Sequence, residues 1–247
     1  LRNTGSVVGG QAGIPLADIG AIKAWDTTIG SPSIAVAVLD AGIDYTHPDL
    51  AANVWSAPVP FDITIGATTV HCPAGSHGFN VRDLTCDAKD DNGHGSHVAG
   101  TIGAIGNNSS GIAGVNWKTS MVAIKMLNQF GNGSEADATN AIEAALQLKA
   151  QGVNIRIINA SWGGPVSSTP LRDAILAARD QDVLFVMAAG NDAVSMEITP
   201  YYPAAYPLDN IISVAATDNR DKLADFSNFS TVSVDLGAPG VNILSTV

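Results

Sequence analysis

Apolar and polar positions along the chain predict strands and helices in turn. Short continuous apolar runs bounded by glycine, proline or polar residues are typical of strands buried in a parallel sheet. Such runs predict strands at residues 34–39, 121–126, 155–160, 183–188 and 211–216, with a last extended piece at 232–236. Helices are predicted at residues 18–25, 94–105, 134–150 and 169–181, with Asp18 and Ser134 at the start of the first and third. We therefore expect an α/β fold with three layers, in which a mostly parallel central sheet has helices on both faces.

Residues 51–90 show little periodicity and are rich in proline, glycine and aspartate, which predicts an excursion over the surface. This stretch contains both cysteines, Cys72 and Cys86. A disulfide between them would place the protein in an oxidising compartment, and two free thiols are the alternative. A zinc site is disfavoured because the spacing matches no zinc motif. Residues 1–17 are rich in small residues and are predicted to form an extended arm.

Composition narrows the class of partner. The chain has 247 residues, enough for one α/β domain with a substantial core over residues 1–247. Its 12 basic and 23 acidic residues give a net charge of −11, which disfavours nucleic acid and anionic membranes and suits calcium. The apolar runs are far shorter than the roughly 20 residues that cross a bilayer, so no membrane is expected. The chain begins with Leu1 and lacks a signal-peptide pattern, so we expect a processed or excised polypeptide.

Polar side chains follow three of the predicted strands. Asp40 ends the run at 34–39, Ser161 follows the run at 155–160, and Asn191 comes shortly after the run at 183–188. Because the carboxyl ends of parallel strands meet at one edge of a sheet, these residues are expected to share a site. For Asp40 alone, an ordinary capping role in a strand-to-loop turn is the alternative.

His94 lies between Gly93 and Gly95 at the predicted start of a helix. An imidazole left open by glycines can accept and return a proton near neutral pH. The alternatives are that His94 and His97 are two structural residues of one helix, or a metal-binding pair.

An acid, an imidazole and an amide donor are the parts of a nucleophilic acyl-transfer site. Two other enzyme classes fit less well. A phosphatase that uses a strand-end aspartate would need a second acid at position 42, which is glycine here. A dinucleotide-binding fold would need its glycine motif directly after a strand, whereas Gly100, Gly103 and Gly106 lie in or at the end of the predicted helix.

Four sequence blocks occur in order along the chain: Val38–Asp44 (VLDAGID), Asn92–Thr101 (NGHGSHVAGT), Ser161–Gly164 (SWGG) and Ala188–Asn191 (AAGN). They resemble the successive signature blocks of subtilisin-like serine proteases, the subtilases, in which the aspartate also precedes the histidine. The resemblance covers nearly the whole chain. It implies a subtilisin-like fold and a serine endopeptidase that hydrolyses peptide bonds of proteins through an Asp-His-Ser triad and an acyl-enzyme.

The resemblance also implies a role for individual positions. Asp40 resembles the triad aspartate, His94 the general base and Asn191 the side-chain donor of the oxyanion hole, whereas His97 would be structural. Two segments resemble those that pair with the substrate backbone, and three residues would line the pocket for the side chain before the scissile bond. The pairing segments are Gly131, Asn132, Gly133 and Ser161, Trp162, Gly163, and the pocket residues are Ala188, Ala189, Gly190. Tyr201 is expected near the floor of that pocket, which would be shallow if the ring points inward.

A structural calcium ion is implied in the same way. Asp49 and the loop 106–112 resemble the strong calcium site of the family, with Asp49, Gly106, Asn108, Ser110 and Ile112 as candidate ligands. The alternative is a turn capped by Asn108. A second ion, or simply a solvated acidic loop, is expected at the four nearby acids Asp83, Asp87, Asp90 and Asp91.

The resemblance stops before the nucleophile. In the family, a Gly-Thr-Ser-Met-Ala block follows a segment like Gly237–Thr246, and neither Ser96 nor Ser245 fits that position. We expect a protease whose serine lies outside this sequence and is supplied by a C-terminal fragment of the same protease or by a longer chain. The alternative is an inactive fragment that acts as a peptide-binding or inhibitory module. Polypeptide substrates, the protein's own pro-segment as a partner, and secretion are the further expectations.

Overall fold

The computed structural model describes residues 3–5, 7–8 and 11–247. These residues form two compact units. The first unit comprises the described residues up to Ile29 together with Trp162–Ser167 and Val186–Leu244. The second unit comprises Gly30–Ser161, Ser168–Phe185 and Ser245–Val247.

The second unit contains most of the regular structure. Its strands are β3 (Gly30–Asp40), β4 (Phe61–Ile65), β5 (Thr68–Cys72), β6 (Gly78–Asn80), β7 (Lys118–Lys125) and β8 (Ile155–Ala160). Its helices are α2 (His94–Gly103), α3 (Glu135–Ala150) and α4 (Thr169–Arg179). Strands β8, β3, β7 and β6 lie side by side in that order and run parallel, with Asp40 paired to Lys125 in register.

Residues 35–40 of strand β3 are buried on both faces, as the continuous apolar run predicted, whereas the strand begins earlier, at Gly30, with exposed residues. Val36 and Val38 pack on one face in a core cluster that includes Ala99 of α2. Successive side chains point to opposite faces, so the buried Leu39 faces the other side, where α3 contacts β3, β7 and β8. Full burial of a leucine side chain stabilises the fold by about 1.5–3 kcal/mol. The prediction of a mostly parallel sheet with helices on both faces is confirmed.

Helix α3 begins where the sequence predicted. The side chain of Ser134 accepts the backbone N–H of Asp137 at 3.1 Å, and the carboxylate of Asp137 accepts the backbone N–H of Ser134 at 2.8 Å. This reciprocal pair satisfies two N–H groups that the helix itself cannot bond. Helix α4 is capped by Ser168, which accepts the N–H of Leu171 at 3.1 Å, and it ends two residues before the predicted boundary at 181.

The stretch 51–90 contains more regular structure than predicted. Strands β4 and β5 form an antiparallel hairpin, and β6 adds a short parallel strand beside β7. The expectation of an irregular surface excursion is therefore wrong for these segments, because strands of three to five residues are too short to give a clear period. Cys72 and Cys86 form a disulfide with a Cα–Cα distance of 5.4 Å. No free cysteine remains.

The first unit contains the remaining elements. They are β1 (Val7–Val8), β2 (Gln11–Ala12), α1 (Ala21–Trp25), most of β9 (Leu184–Ala188), β10 (Ile211–Thr217) and β11 (Leu236–Pro239). Strands β11, β10 and β9 lie in that order, and β10 pairs with β11 in parallel. The arm predicted at residues 1–17 lies partly outside the described residues, and within it β1 pairs with β2.

Two boundaries in the first unit differ from the predictions. Gly20, in the left-handed region at φ 64°, precedes α1, and Asp18 instead accepts the backbone N–H groups of Gly20 and Asn3. The last strand begins at Leu236 rather than at 232, because the hydroxyl of Ser230 accepts the N–H of Val232 at 3.0 Å and holds that segment in a turn. Within the part of the chain that the structure describes, no helix has the length and apolar character needed to cross a membrane.

Candidate active site

Asp40 is the last residue of β3 and is completely buried. Strands β7 and β8 flank β3, so the carboxylate lies at the carboxyl end of an interior strand. Its Oδ1 atom accepts the backbone N–H of Ala41 at 2.7 Å. A buried carboxylate requires such donors, because an unpaired charge in the interior is strongly destabilising.

His94 is the first residue of α2 and meets this carboxylate. Its Nδ1 atom lies 2.8 Å from Oδ1 and 2.9 Å from Oδ2 of Asp40. The His94 side chain is 48% exposed, whereas that of Asp40 is 0% exposed. The hydrogen bond that the imidazole donates to Asp40 raises the pKa of His94, burial opposes this, and the charges of Asp40 and Asp90 raise it further, so the net shift is upward. The pair can therefore hold a proton on Nδ1 and leave Nε2 to exchange one.

Gly95 permits the close approach of α2 to the loop that follows Asp40. A Cβ atom at this position would collide with the carbonyl oxygen of Gly42 and would lie 3.2 Å from Oδ1 of Asp40. Only a residue without a side chain fits there, so the glycine sets the distance between the helix and the strand end.

Asp90 fixes the first turn of α2. Its Oδ1 atom accepts the N–H groups of Asn92 and Gly93, each at 2.9 Å, and its Oδ2 atom accepts the N–H and the hydroxyl of Ser96 at 2.8 and 2.7 Å. The same hydroxyl accepts the N–H of Asp44 at 2.9 Å. These bonds, called here the Asp90 brace, join the helix that begins at His94 to the loop that follows Asp40.

Lys125 forms a second connection, called here the Lys125 brace. Its Nζ atom donates to the carbonyl oxygens of Ala41 and Leu127 at 2.7 and 3.0 Å, and to Oδ1 of Asp91 at 2.6 Å. The Lys125 side chain is 6% exposed. The ammonium group therefore links the residue after Asp40 to the acidic segment before His94. The sequence analysis missed this role, although a single lysine at the end of an apolar strand was the available signal.

The four acids proposed for a second ion have separate partners. Asp90 and Asp91 belong to the two braces, Asp87 accepts the hydroxyl of Tyr45 at 2.8 Å, and Asp83 accepts the side-chain amide of Asn80 at 3.0 Å. Within the described ranges, no group of three or more His, Cys, Asp or Glu side chains is arranged to hold a metal ion.

The segment Gly131–Gly133 is exposed and lies beside the residues that precede His94. Oδ1 of Asn128 accepts the N–H of Asn132 at 3.0 Å and closes the loop that leads into the segment. The side-chain amide of Asn92 donates to the carbonyl oxygen of Gln129 at 3.0 Å. Oδ1 of the same side chain accepts the backbone N–H of the histidine at 3.1 Å. The structure thus brings this segment next to the Asp40–His94 pair, within the second unit.

The other predicted site residues are divided between the units. Ser161 belongs to the second unit, where its hydroxyl accepts the side-chain amide of Asn159 at 3.0 Å. The first unit contains Trp162, Gly163, Ala188, Ala189, Gly190 and Asn191.

Asn228 is a buried residue that the sequence analysis missed. Its amide donates to the carbonyl oxygen of Ala189 at 3.0 Å, its backbone N–H donates to the carbonyl oxygen of Gly190 at 2.9 Å, and its Oδ1 atom accepts the N–H of Asp192 at 2.9 Å. These three bonds hold the backbone on both sides of the exposed Asn191. Its position in a loop far along the sequence gave no signal of this role.

Asp49 is 1% exposed and faces the loop 107–113, which lines a recess of about 290 Å³. Its Oδ1 atom accepts the side-chain amide of Asn108 at 2.6 Å, and its Oδ2 atom accepts the N–H of Ile112 at 2.9 Å. The N–H of Ser110 donates to Oδ1 of Asn108 at 3.1 Å, and Gly106 packs against the ring of Trp117.

The carboxylate of Asp49 faces N–H donors, and among the described residues no group of three or more His, Cys, Asp or Glu side chains that could hold a metal ion includes it. Among the described residues, no lysine or arginine forms an ion pair with this buried carboxylate. Rotating the side-chain amide of Asn108 by 180° would exchange the positions of its oxygen and nitrogen and move no other heavy atom. The oxygen would then face the carboxylate of Asp49, and the hydrogen bond from the N–H of Ser110 would be lost. One carboxylate, one amide oxygen and backbone carbonyls are ligands that calcium accepts.

Comparison with known proteins identifies the family of the chain. Residues 31–247 match the profile described as the subtilase family. A thermophilic serine proteinase of Bacillus sp. (strain AK1) is 38% identical over 224 residues, which are 91% of this chain and 48% of that protein. Thermitase of Thermoactinomyces vulgaris is 36% identical over 228 residues, which are 92% of this chain and 70% of that protein.

A solved structure gives the same result for the fold. The crystal structure of a cold-adapted subtilisin-like serine proteinase superposes with a TM-score of 0.67 at 28% identity, covering 87% of this chain and 66% of that one. The chain spans about half the length of several curated relatives that it matches. On these matches, the chain belongs to the subtilase family.

Proposed function

We propose that this chain supplies the acid, the base and the oxyanion donor of a serine endopeptidase that acts on polypeptides. The observation that carries the proposal is the buried Asp40 carboxylate, which meets Nδ1 of the half-exposed His94 at 2.8 Å. An aspartate in this position holds the imidazole in the tautomer whose Nε2 atom can accept a proton, and it stabilises the imidazolium that forms.

In the proposed reaction, a serine hydroxyl gives its proton to Nε2 of His94 while its oxygen forms a bond to the carbonyl carbon of the peptide. The side-chain amide of Asn191 stabilises the negative charge that develops on the carbonyl oxygen. The imidazolium then gives the proton to the leaving amine as the C–N bond breaks, which leaves an acyl-serine. Water repeats both steps with His94 as base and then acid, and releases the carboxylic acid.

The nucleophilic serine lies outside residues 1–247 in this proposal. Two serines on or against helix α2 are engaged elsewhere: the hydroxyl of Ser96 belongs to the Asp90 brace, and that of Ser245 donates to the carbonyl oxygen of His97 at 2.6 Å. A C-terminal fragment of the same protease, or a longer chain, would supply the serine. Gly131–Gly133 and Ser161–Gly163 would pair with the substrate backbone. The pro-segment of the protein is a further proposed partner.

We also propose that the protein works outside the cell. The Cys72–Cys86 disulfide supports an oxidising compartment, because such bonds are rare where thiols are kept reduced. The acidic surface, with a net charge of −11, is consistent with a soluble role.

Labelling with a fluorophosphonate, which reacts with activated serines, tests the proposed activity. The full-length protein is labelled, denatured and analysed by intact mass spectrometry. We expect one label on a serine outside residues 1–247 in the wild type, and none in His94→Ala, because the base that activates the hydroxyl is gone. His71→Ala is the matched control and should be labelled normally, since His71 pairs with Asp62 on the exposed hairpin. An unlabelled wild type would contradict the proposed hydrolase activity and favour the alternative, a peptide-binding module.

Calcium at Asp49 is proposed as a structural ion, with Asn108 and the carbonyl groups of Gly106, Ser110 and Ile112 as the other ligands. Excess chelator is expected to lower the melting temperature of the full-length protein, because an ion bound only by the folded state stabilises it. At 100 times its Kd, such an ion contributes about 2.7 kcal/mol. Asp49→Asn should reduce this calcium-dependent shift, and Asp62→Asn on the exposed hairpin should leave it unchanged. Identical melting of the wild type in calcium and in chelator would rule the site out.

A further inference from the structure

Asn228 belongs to a loop that is anchored to strand β10. The buried hydroxyl of the preceding residue, Ser227, accepts the backbone N–H of Ala216 at 2.9 Å and donates to the carbonyl oxygen of Asn228 at 2.9 Å. The N–H of Ala224 donates to the carbonyl oxygen of the same Ala216 at 2.9 Å. Asn228, which is itself 0% exposed, is therefore held in place within the first unit.

The side chain of Asn228 is bonded to the backbone before and after Asn191. In addition to its bonds on both sides of that residue, its Oδ1 atom accepts the N–H of Val194 at 3.3 Å. Gly190 allows this approach, because a Cβ atom there would collide with Nδ2 of Asn228. Gly190 also has a φ of 109°, a backbone conformation that favours glycine. The chain thus turns just before Asn191 with the Asn228 amide packed against the turn.

The side chain of Asn191 depends on this backbone for its position. It is exposed, and among the residues that the structure describes none forms a hydrogen bond with it. The segment has further attachments beyond the turn, where the N–H of Ala193 donates to the carbonyl oxygen of Phe226 at 2.9 Å. This bond does not involve Asn228. A variant at Asn228 would therefore loosen residues 189–192 and leave the segment attached beyond them.

We propose that Asn228 is a positioning residue for the oxyanion donor. This inference rests on the proposed function, in which the side-chain amide of Asn191 stabilises the charge on the carbonyl oxygen. Such a donor is effective only when it is aimed at the place where charge develops, and a displacement of about 1 Å can cost about 10²-fold in rate. By holding the backbone on both sides of Asn191, Asn228 sets the direction of that amide before substrate binds. Asn228 itself touches neither the substrate nor the reacting atoms.

Steady-state kinetics of the full-length protein with a peptide substrate tests this role. Asn228→Ala removes the side-chain bonds and keeps the backbone N–H that binds Gly190. We expect kcat to fall about 10–100-fold and KM to change less than about threefold, because the donor acts on the transition state and not on the bound peptide. Asn228→Asp keeps the size of the side chain and the acceptor for Asp192 but removes the donor to Ala189, so it should also lower kcat.

A double-mutant cycle separates positioning from a general loss of stability. Asn191→Leu removes the donor and should lower kcat about 10²–10³-fold. In that background, Asn228→Ala should lower kcat by less than about a further twofold, because no donor remains to be displaced. Glu197→Ala is the matched control and should leave kcat unchanged. It removes hydrogen bonds from Ser230 and Thr231, which join the same two segments farther along the chain from Asn191.

Three results would overturn the inference and leave the proposed function in place. They are a wild-type kcat in both Asn228 variants, an equal fall in kcat in the two backgrounds, and a similar fall in Glu197→Ala. Circular dichroism and melting temperatures show whether each variant is folded, and the cycle is carried out with Asn228→Asp if Asn228→Ala is not. A normal kcat in Asn191→Leu would contradict the oxyanion donor and this inference together. A wild type that hydrolyses no peptide would contradict the endopeptidase itself, and the inference fails with it.

Discussion

Replacing Asp40 with asparagine is expected to reduce peptide hydrolysis by the full-length protein about 10⁴-fold while the fold is retained, the magnitude general to serine-protease triads. The asparagine amide would face Nδ1 of His94 with an N–H group, so the proton would move to Nε2 and the ring could no longer accept one from a hydroxyl. The fold should survive because the two side chains have nearly the same volume. Steady-state kinetics and circular dichroism measure the two effects.

The same variant should lower the pKa of His94, because the hydrogen bond that the imidazole donates to Asp40 is the largest cause of its upward shift. A pKa raised in the folded state adds stability below the unfolded value of about 6.5, and this contribution is lost as pH rises through the folded value. Asp40→Asn should therefore remove this pH-dependent contribution of His94 to the free energy of unfolding. An NMR titration of the imidazole signals follows the pKa directly.

Asp62→Asn is the matched control for this experiment, because it removes the carboxylate partner of an exposed histidine, His71. It should change neither hydrolysis nor the pKa of His94. Turnover by Asp40→Asn within a few-fold of the wild type would contradict the assignment of Asp40.

Replacing Lys125 with methionine is expected to destabilise the protein by about 2–5 kcal/mol, although the residue is not proposed to touch the substrate. The change removes the donor for the buried carbonyl groups of Ala41 and Leu127, and each buried acceptor left unpaired costs about 1–3 kcal/mol. It also removes the counter-charge of Asp91, whose side chain is 50% exposed and so depends less on the pair. Urea unfolding of the full-length protein measures the difference in the free energy of unfolding.

Lys89→Met provides the comparison. Its Nζ atom lies 3.4 Å from Oδ1 of Asp44 and the side chain is 44% exposed, so its loss should cost less than about 1 kcal/mol. Equal unfolding free energies for Lys125→Met and Lys89→Met would mean that the Lys125 brace does not stabilise the fold.

Regular elements with strong local signals were predictable from the sequence. Strand β8 was predicted with its observed bounds, because three isoleucines stand close together and polar residues mark both ends of the segment. Helix α3 was predicted because Ser134 supplies a cap. The hairpin of β4 and β5 escaped prediction, since its five-residue strands take their order from pairing with each other. Only two residues, Gly66 and Ala67, separate the two strands, and each strand is too short to show a clear period.

Some residues of the candidate site could be predicted from the sequence and others could not. Asp40 and His94 were predicted from their own neighbours in sequence, and the structure brings them together. Asp90, Lys125 and Asn228 were missed because their roles consist of bonds to the backbone of other segments, and a backbone acceptor has no residue type to recognise. The contacts of the Tyr201 ring with Gly163 and Gly190 likewise could not be predicted, because they are made with the backbone of two other segments.

The two braces have a consequence for how the pair would respond to a substrate. Both braces lie within the second unit and connect the loop after Asp40 to the segment around His94 through side chains, so they hold Asp40 and His94 together in the folded chain. A carboxylate and an imidazole that are already oriented need little reorganisation as charge develops between them, and the low reorganisation energy of fixed dipoles is a main source of enzymatic rate. Substrate binding would then have to position only the peptide, because the proton acceptor is preorganised.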